Sequence, residues 1–400
     1  MTDVAERLQE LRDRGLHRRL RLVEGPQGAR VLLDGRPVLL LCSNNYLGLA
    51  DHPQVRRGAA EAALCWGAGA GASRLISGNM APHRRLERRL AAFKGYEEAL
   101  LFGSGYLANV GAISSLASRG EVVFSDELNH ASIVDGCRLS RAETFVYRHG
   151  DVEHLAWGLK RAGGRGALIV SDGVFSMDGD VAPLQALAGL ARRHGCRLMV
   201  DEAHATGAIG PGGRGTVAAA ELGEQVDVIV GTLGKALGSY GAYVCASREL
   251  RDYLVNAARP FVFSTAPPPP VLAAALAALE LLETAPQQVE RLQANAAVLR
   301  EALAAEGLPA GGAGSQIVPV EVGDAELTMA LSERLLERGV FAQGIRPPTV
   351  PEGRSRLRFT AMATHRPDEL ERAARLAGEA ARELGIVAAE SRSAPLAVGA

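Results

Sequence analysis

The chain has 400 residues, 47% hydrophobic and 22% charged, enough apolar material for a large domain plus a smaller one and too much for a disordered polymer. Its 44 basic and 45 acidic residues nearly cancel, which argues against a nucleic-acid surface and against an acidic tail for a charged partner. The opening MTDVAERLQELRDRG lacks the apolar centre of a signal peptide, and the greasiest stretch, 271–285, is interrupted by Glu280 and Glu283 and is too short to span a bilayer.

The first fifteen residues read as a mixed-charge helix, and the apolar runs 30–33 and 38–41 as a hairpin around Asp34-Gly35. From about residue 52, amphipathic stretches at 52–65, 82–93, 130–139, 151–161 and 183–194 alternate with short apolar runs. Those runs lie at 99–102, 122–125, 144–147, 167–171, 197–200, 226–230 and 242–245. They are aliphatic or β-branched without polar alternation, the pattern of strands covered on both faces. The expected fold class is α/β, a mainly parallel sheet between helices. Beyond the prolines at 267–270, helical patterns over 271–305 and strands near 316–321 and 355–360 predict a smaller α+β domain. The division expected is an N-terminal segment 1–50, a large domain 51–284, a small domain 285–388 and a loose tail 389–400. The five cysteines are scattered without a C-x-x-C pair and read as reduced core or near-core thiols of a cytoplasmic protein.

Lysine is rare: Lys94, Lys160 and Lys235 are the whole set. Only a primary amine forms a Schiff base, so candidates for that chemistry are few. Lys94 and Lys160 end helical stretches and read as helix C-terminal charges. Lys235 lies in a glycine-rich turn, GTLGKALG (231–238), directly after a buried strand, where glycines admit a flat ligand and an apolar setting depresses an amine pKa. A plain surface loop lysine is the other reading of that segment.

Asp201 in LMVDEAHATG (198–207) closes another strand, pointing an acid at the crevice where parallel sheets bind ligands. Such an acid can pair with a pyridine nitrogen and keep a ring protonated, and His204 could bond the same ring; a helix N-cap with an incidental histidine is the alternative. The segment 103–108 has the form G-x-G-x-x-A between strand and helix, with Asp126 where a dinucleotide fold would place its ribose acid. Taken alone it supports an NAD domain, yet a helix N-terminus binds any phosphate. His130 and the loop SDGVFSMDGD (171–180) occupy further strand ends; metal binding at that loop finds no supporting ligand cluster.

The set SNNYLGLA (43–50), FGSGYLAN (102–109), DELNHASIVDG (126–136), DGVFSMDGD (172–180), VDEAHATGAIG (200–210) and GTLGKALG (231–238) resembles the α-oxoamine synthases over about residues 5–385. That resemblance implies the fold-type I architecture of pyridoxal-phosphate transferases, a homodimer, and pyridoxal 5′-phosphate as cofactor. It implies a Schiff base on Lys235, Asp201 at the ring nitrogen, His204 at the ring oxygen and His130 stacked on the ring. Gly105, Tyr106, Ser176 and Thr232 would contact the cofactor, and Thr265 would reach the partner subunit's phosphate. Arg358 with Asn44 would hold the amino-acid carboxylate, and Thr349 with either Arg18 or Arg21 would contact substrate. IRPPTVPEGRSRLR (345–358) and GLHRRLR (15–21) are similar to the biotin-pathway branch, which joins L-alanine to a pimeloyl thioester; the alternative branch uses glycine and acetyl-CoA. Two departures bear on acyl preference: Asp172 stands where some members have Glu, and Ser239-Tyr240 follows the lysine turn.

Overall fold

The computed structural model describes residues 3–387, so the tail expected at 389–400 lies outside the described residues. Helix α1 (Val4–Asp13) starts where the Asp3 carboxylate accepts from the Ala5 amide. A small antiparallel array follows, β1 (Val23–Glu24), β2 (Arg30–Leu33) and β3 (Arg36–Leu40). Asp34 and Gly35 both take positive φ, 50° and 78°, as the expected two-residue hairpin turn requires.

Helices α2 (Pro53–Trp66) and α3 (Ala81–Lys94) lead into the central sheet. Its strands are β4 (Glu98–Phe102), β5 (Val122–Asp126), β6 (Glu143–Tyr147), β7 (Gly166–Asp172), β8 (Arg197–Asp201), β9 (Val228–Thr232) and β10 (Ala242–Ala246), in the spatial order β4-β10-β9-β8-β7-β5-β6. The pairs from β9 through β6 are all parallel, whereas β10 runs antiparallel to both its neighbours. Connecting helices are α4 (Gly105–Leu116), α5 (Ala131–Ser140), α6 (Val152–Ala162), α7 (Leu184–His194) and the short α8 (Thr216–Ala219).

Successive strand residues face opposite sides and both sides are apolar, so the sheet is covered twice. Leu100, Val123, Val170, Met199 and Val230 pack in one cluster with residues of α4 and α5. Leu101, Phe124, Ile169, Val200 and Ile229 pack in the other with residues of α3, α6 and α7. Strand β6 departs from the expected double cover: it is the sheet edge, and Thr144 and Val146 are exposed. The chain leaves β5 for β6 on one side and returns to β7 on the other. A crevice therefore opens beyond the carboxyl ends of β5 and β7, the usual ligand position in an open α/β sheet.

The remaining elements are α9 (Arg248–Ala257), α10 (Arg259–Val262), α11 (Pro269–Thr284), α12 (Gln287–Ala305), β11 (Ile317–Gly323), α13 (Ala325–Glu337), β12 (Val340–Phe341), β13 (Gln343–Ile345), β14 (Ser355–Thr360) and α14 (Pro367–Glu383). Strands β11, β14 and β13 form a second, antiparallel sheet. The two-residue β12, too short to show a period, pairs in parallel with β3 and stitches the N-terminal hairpin to the C-terminal part. Among the described residues no helix is long and apolar enough to cross a membrane.

Two local expectations fail. Lys94 is not a solvated helix-end charge: its ammonium is buried and donates to Glu202, to Thr206 and to the Arg214 carbonyl. Cys65 is exposed rather than near the core, because it falls on the outer face of α2, while Cys137, Cys196 and Cys245 are buried.

Candidate active site

Four strand ends supply the site. Strand β8 ends in Asp201, buried, with Oδ1 accepting from the Ala203 amide at 2.8 Å and Oδ2 from the Asn109 side chain at 2.6 Å. The same Asn109 amide donates to Ser132 Oγ at 2.9 Å, and Ser132 lies 2.7 Å from His130 Nδ1. The acid of β8 and the imidazole after β5 are thus held in one network by helix α4. Strand β7 ends in Asp172, whose Oδ2 accepts from the His130 amide at 2.8 Å. Burial and the neighbouring Asp201 charge hold the Asp172 carboxyl well above the usual carboxylate range. Burial, with Lys235's charge adding, lowers His130 against the attraction of Asp201.

The turn after β9 carries Lys235. Its amine end is enclosed, and burial, with the Arg358 charge adding, pushes it down to about 8 although Asp201 and Asp172 pull the other way. Lys235 Nζ lies 2.7 Å from His204 Nε2. His204 is held well below its usual value by burial, then by the charges of Lys235 and Arg358, and is therefore a neutral imidazole. Its Nδ1 is 2.6 Å from the Tyr46 hydroxyl, which donates to Asn44 Oδ1 at 3.0 Å. Asn44 Oδ1 also accepts from Arg358 Nη1 and Nη2, at 3.5 and 3.4 Å, and Arg358 Nε donates to the Ser176 carbonyl. Lys235, His130, Asp201, His204, Asn44, Ser176 and Arg358 converge by these contacts and charges.

The start of α4 is open to an anion. Ser104 Oγ caps the Leu107 amide at 3.2 Å, the Gly105 and Tyr106 amides have no acceptor among the described residues, and a Cβ on Gly105 would meet open space. The Tyr106 side chain itself is turned to Asp135, its hydroxyl donating at 2.6 Å. Thr232 Oγ1 ends β9, donating to the Gly241 carbonyl and accepting from the Gly234 amide. Thr265 is not joined to this cluster by any contact between described residues; its backbone bridges Ser73. Arg18, Arg21, Gln343, Arg346 and Thr349 line a cavity of about 590 Å³ one strand away from Arg358. Arg21 is engaged there with Glu333 and Asp34, whereas Arg18 has no ion pair with a described residue.

Pyridoxal phosphate fits this donor set: a buried acid, a neutral imidazole beside an enclosed amine of lowered pKa, and open helix amides for an anion. The dinucleotide reading does not fit. Asp126 accepts from the Leu128 and Gly150 amides and bonds His149 Nδ1 at 2.9 Å, leaving no carboxylate for a ribose. Sequence reasoning missed Tyr46, Asn109, Ser132 and His149. His149 bridges Asp126 and Asp180, and these hydrogen bonds push it up to about 10, so a charged imidazolium pins the loop bearing Ser176. Tyr46, Asn109 and Ser132 carried some signal, as polar residues within recognised segments, and His149 carried none.

These features define a pyridoxal-phosphate enzyme of aminotransferase type. The family model for aminotransferases of class I and II matches residues 36–376, and the chain belongs to that family. It is 54% identical over 390 residues, 97% of its length and 100% of the relative's, to the 8-amino-7-oxononanoate synthase of Citrifermentans bemidjiense. The Geobacter sulfurreducens 8-amino-7-oxononanoate synthase is 55% identical over 387 residues, covering 96% of this chain and 99% of the relative. Within the family the chain groups with these synthases. Among solved structures, a serine palmitoyltransferase from S. paucimobilis with bound PLP–myriocin aldimine superposes with TM-score 0.91 at 35% identity, covering 96% and 98% of the two chains. A Francisella tularensis 8-amino-7-oxononanoate synthase gives 0.76 at 28% identity, covering 86% of this chain and 98% of that one.

Proposed function

We propose that the chain condenses L-alanine with a pimeloyl thioester, on CoA or a carrier protein, giving 8-amino-7-oxononanoate, CO2 and the free thiol, as a cytoplasmic homodimer. The carrying observation is the convergence of the Lys235 amine, the Asp201 acid and the Arg358–Asn44 carboxylate seat at one sheet edge. When bound, pyridoxal phosphate forms a Schiff base with an amine, and its protonated ring draws electrons from the amino acid's α-carbon. Asp201, held by Asn109 and the Ala203 amide, would hold the ring nitrogen and keep it protonated. The open Gly105 and Tyr106 amides, with Ser176 and Thr232, would hold the phosphate side. A ring bound there would have His130 over one face and His204 at its oxygen. Arg358 and Asn44 fix the carboxylate plane of the amino acid, a task suited to a guanidinium fork. Lys235 Nζ takes the α-proton, and an amine of pKa about 8 both accepts and returns a proton near neutrality. Arg18 and Thr349 receive the acyl donor in the adjoining cavity.

Support for a dimer comes from Thr265, which stands outside the protomer's own cluster. The test is a side-by-side assay of alanine with pimeloyl-CoA and of glycine with acetyl-CoA, products identified by mass. The first pair should turn over at least ten-fold better; preference for the second overturns the assignment.

A further inference from the structure

Strand β14 buries two arginines on one face, Arg356 and Arg358, 3% and 6% exposed, while the alternating Leu357 and Phe359 belong to the core. Two guanidiniums side by side leave water only if each finds acceptors. Both find them in the loop that leaves β7. Arg356 Nη1 pairs with the Asp178 carboxylate and Arg358 Nε donates to the Ser176 carbonyl, so residues two apart on the strand meet residues two apart on the loop. Glu321, opposite Arg356 on β11, is engaged by Arg354 at 3.0 Å, which leaves Asp178 as the one ion-pair partner of Arg356 among the described residues.

Asp180, two residues further along the loop, is held by His149 at 2.9 Å. The loop is closed on itself by a Val174–Val181 bridge and by the Gly179 amide, which donates to the Phe175 carbonyl at 2.8 Å. At Gly179, with φ 71°, a Cβ would stand 2.7 Å from the Ile317 carbonyl oxygen, so glycine lets the loop backbone lie against the start of β11. The loop is thus clamped to the central sheet through Asp180 and to the small antiparallel sheet through Asp178 and Ser176. Arg358's other contact, Asn44 Oδ1 at 3.4 and 3.5 Å, is long for a hydrogen bond, so the Ser176 carbonyl is the firmer hold.

We infer that Asp178 and Arg356 are positioning residues: their ion pair keeps the loop in register with β14, and so fixes where the Ser176 carbonyl meets Arg358 and how Arg358 is aimed at a carboxylate. This role rests on the proposed function in one respect, that the carboxylate is the amino acid's.

The test is an absorbance titration of full-length protein loaded with pyridoxal phosphate, using L-alanine and L-alaninamide, which offers the same amine without a carboxylate. Asp178→Asn keeps the size and one acceptor oxygen but removes the charge. It should weaken alanine roughly 3- to 10-fold, less than the loss of a whole charged hydrogen bond, and leave alaninamide within about two-fold. In an Arg358→Ala background the same change should add nothing to the alanine loss. In turnover the KM for alanine should rise while kcat and the KM for the acyl donor hold. Asp178→Glu, which keeps the charge but pushes the loop away by one methylene, should show the same selective loss and serves if the asparagine variant does not fold. Equal weakening of both ligands, or no change in either, overturns the inference, since the ion pair would then serve stability alone. If Arg358→Ala itself spares alanine, the carboxylate seat lies elsewhere and both readings fall. A selective loss in Arg358→Ala without one at Asp178 removes only the role of the ion pair.

Discussion

Replacing Lys94 by Met should be among the most damaging single changes outside the site. The ammonium is buried against Glu202, itself wholly buried, and Glu202 also accepts from Thr216 Oγ1 and the Val217 amide, each at 2.7 Å. Two unit charges about 4 Å apart attract by ~4 kcal/mol at an effective dielectric of ~20, much of it offset by desolvation. Removing one partner is different, because the other charge stays buried alone, at a cost of about 3–5 kcal/mol. Met preserves the length of the side chain, so little packing is lost. Denaturant unfolding of the purified chain should show that loss for Lys94→Met. The double variant Lys94→Met/Glu202→Gln should recover most of it, since Gln still accepts from Thr216 and Val217. Because Glu202 directly follows Asp201, the single variant should also hold pyridoxal phosphate more weakly and the double should restore it. A single variant within about 0.5 kcal/mol of wild type, the range of surface substitutions, would refute the reasoning.

Lys235→Ala should fold and bind the cofactor loosely, yet lose turnover and the visible chromophore that borohydride reduces; full activity in that variant would exclude the scheme. The amine reacts when uncharged, and its pKa falls from the ordinary 10.5 to about 8. Adding pyridoxal phosphate to cofactor-free protein should therefore give the chromophore at a rate that climbs with pH and levels just above 8, rather than rising on toward 10.5 in stopped-flow traces. Arg18→Ala should raise the KM for the acyl donor roughly 10-fold, the effect of one charge-assisted hydrogen bond, whereas Arg21→Ala should mainly lower the unfolding midpoint because its guanidinium serves Glu333 and Asp34.

Every strand of the central sheet was legible in the chain because strands covered by helices on both faces must be apolar on both, and an unbroken aliphatic run of about five residues says so locally. The edge strand β6 shows the limit of that signal. Its Thr-Phe-Val-Tyr run is as apolar as an interior strand, and only the strand order decides that Thr144 and Val146 meet water. The clustering of Lys235, Asp201, His204 and His130 was legible too, since each sits at or just past a strand end and those ends meet at one crevice.

What the linear chain determined was therefore the list of central-sheet strands, the places of Lys235 and Asp201 at strand ends, and the glycine-rich helix start, all properties of neighbours within a turn or two. The tertiary structure alone decided who meets whom across long separations: Tyr46 and His204, 158 residues apart, Lys94 and Glu202, 108 apart, Asn109 and Asp201, 92 apart. A lysine ending a helix looks the same whether its ammonium meets water or a buried glutamate. Hydrogen bonds and desolvation depend on distance in space, and the chain records only distance along itself.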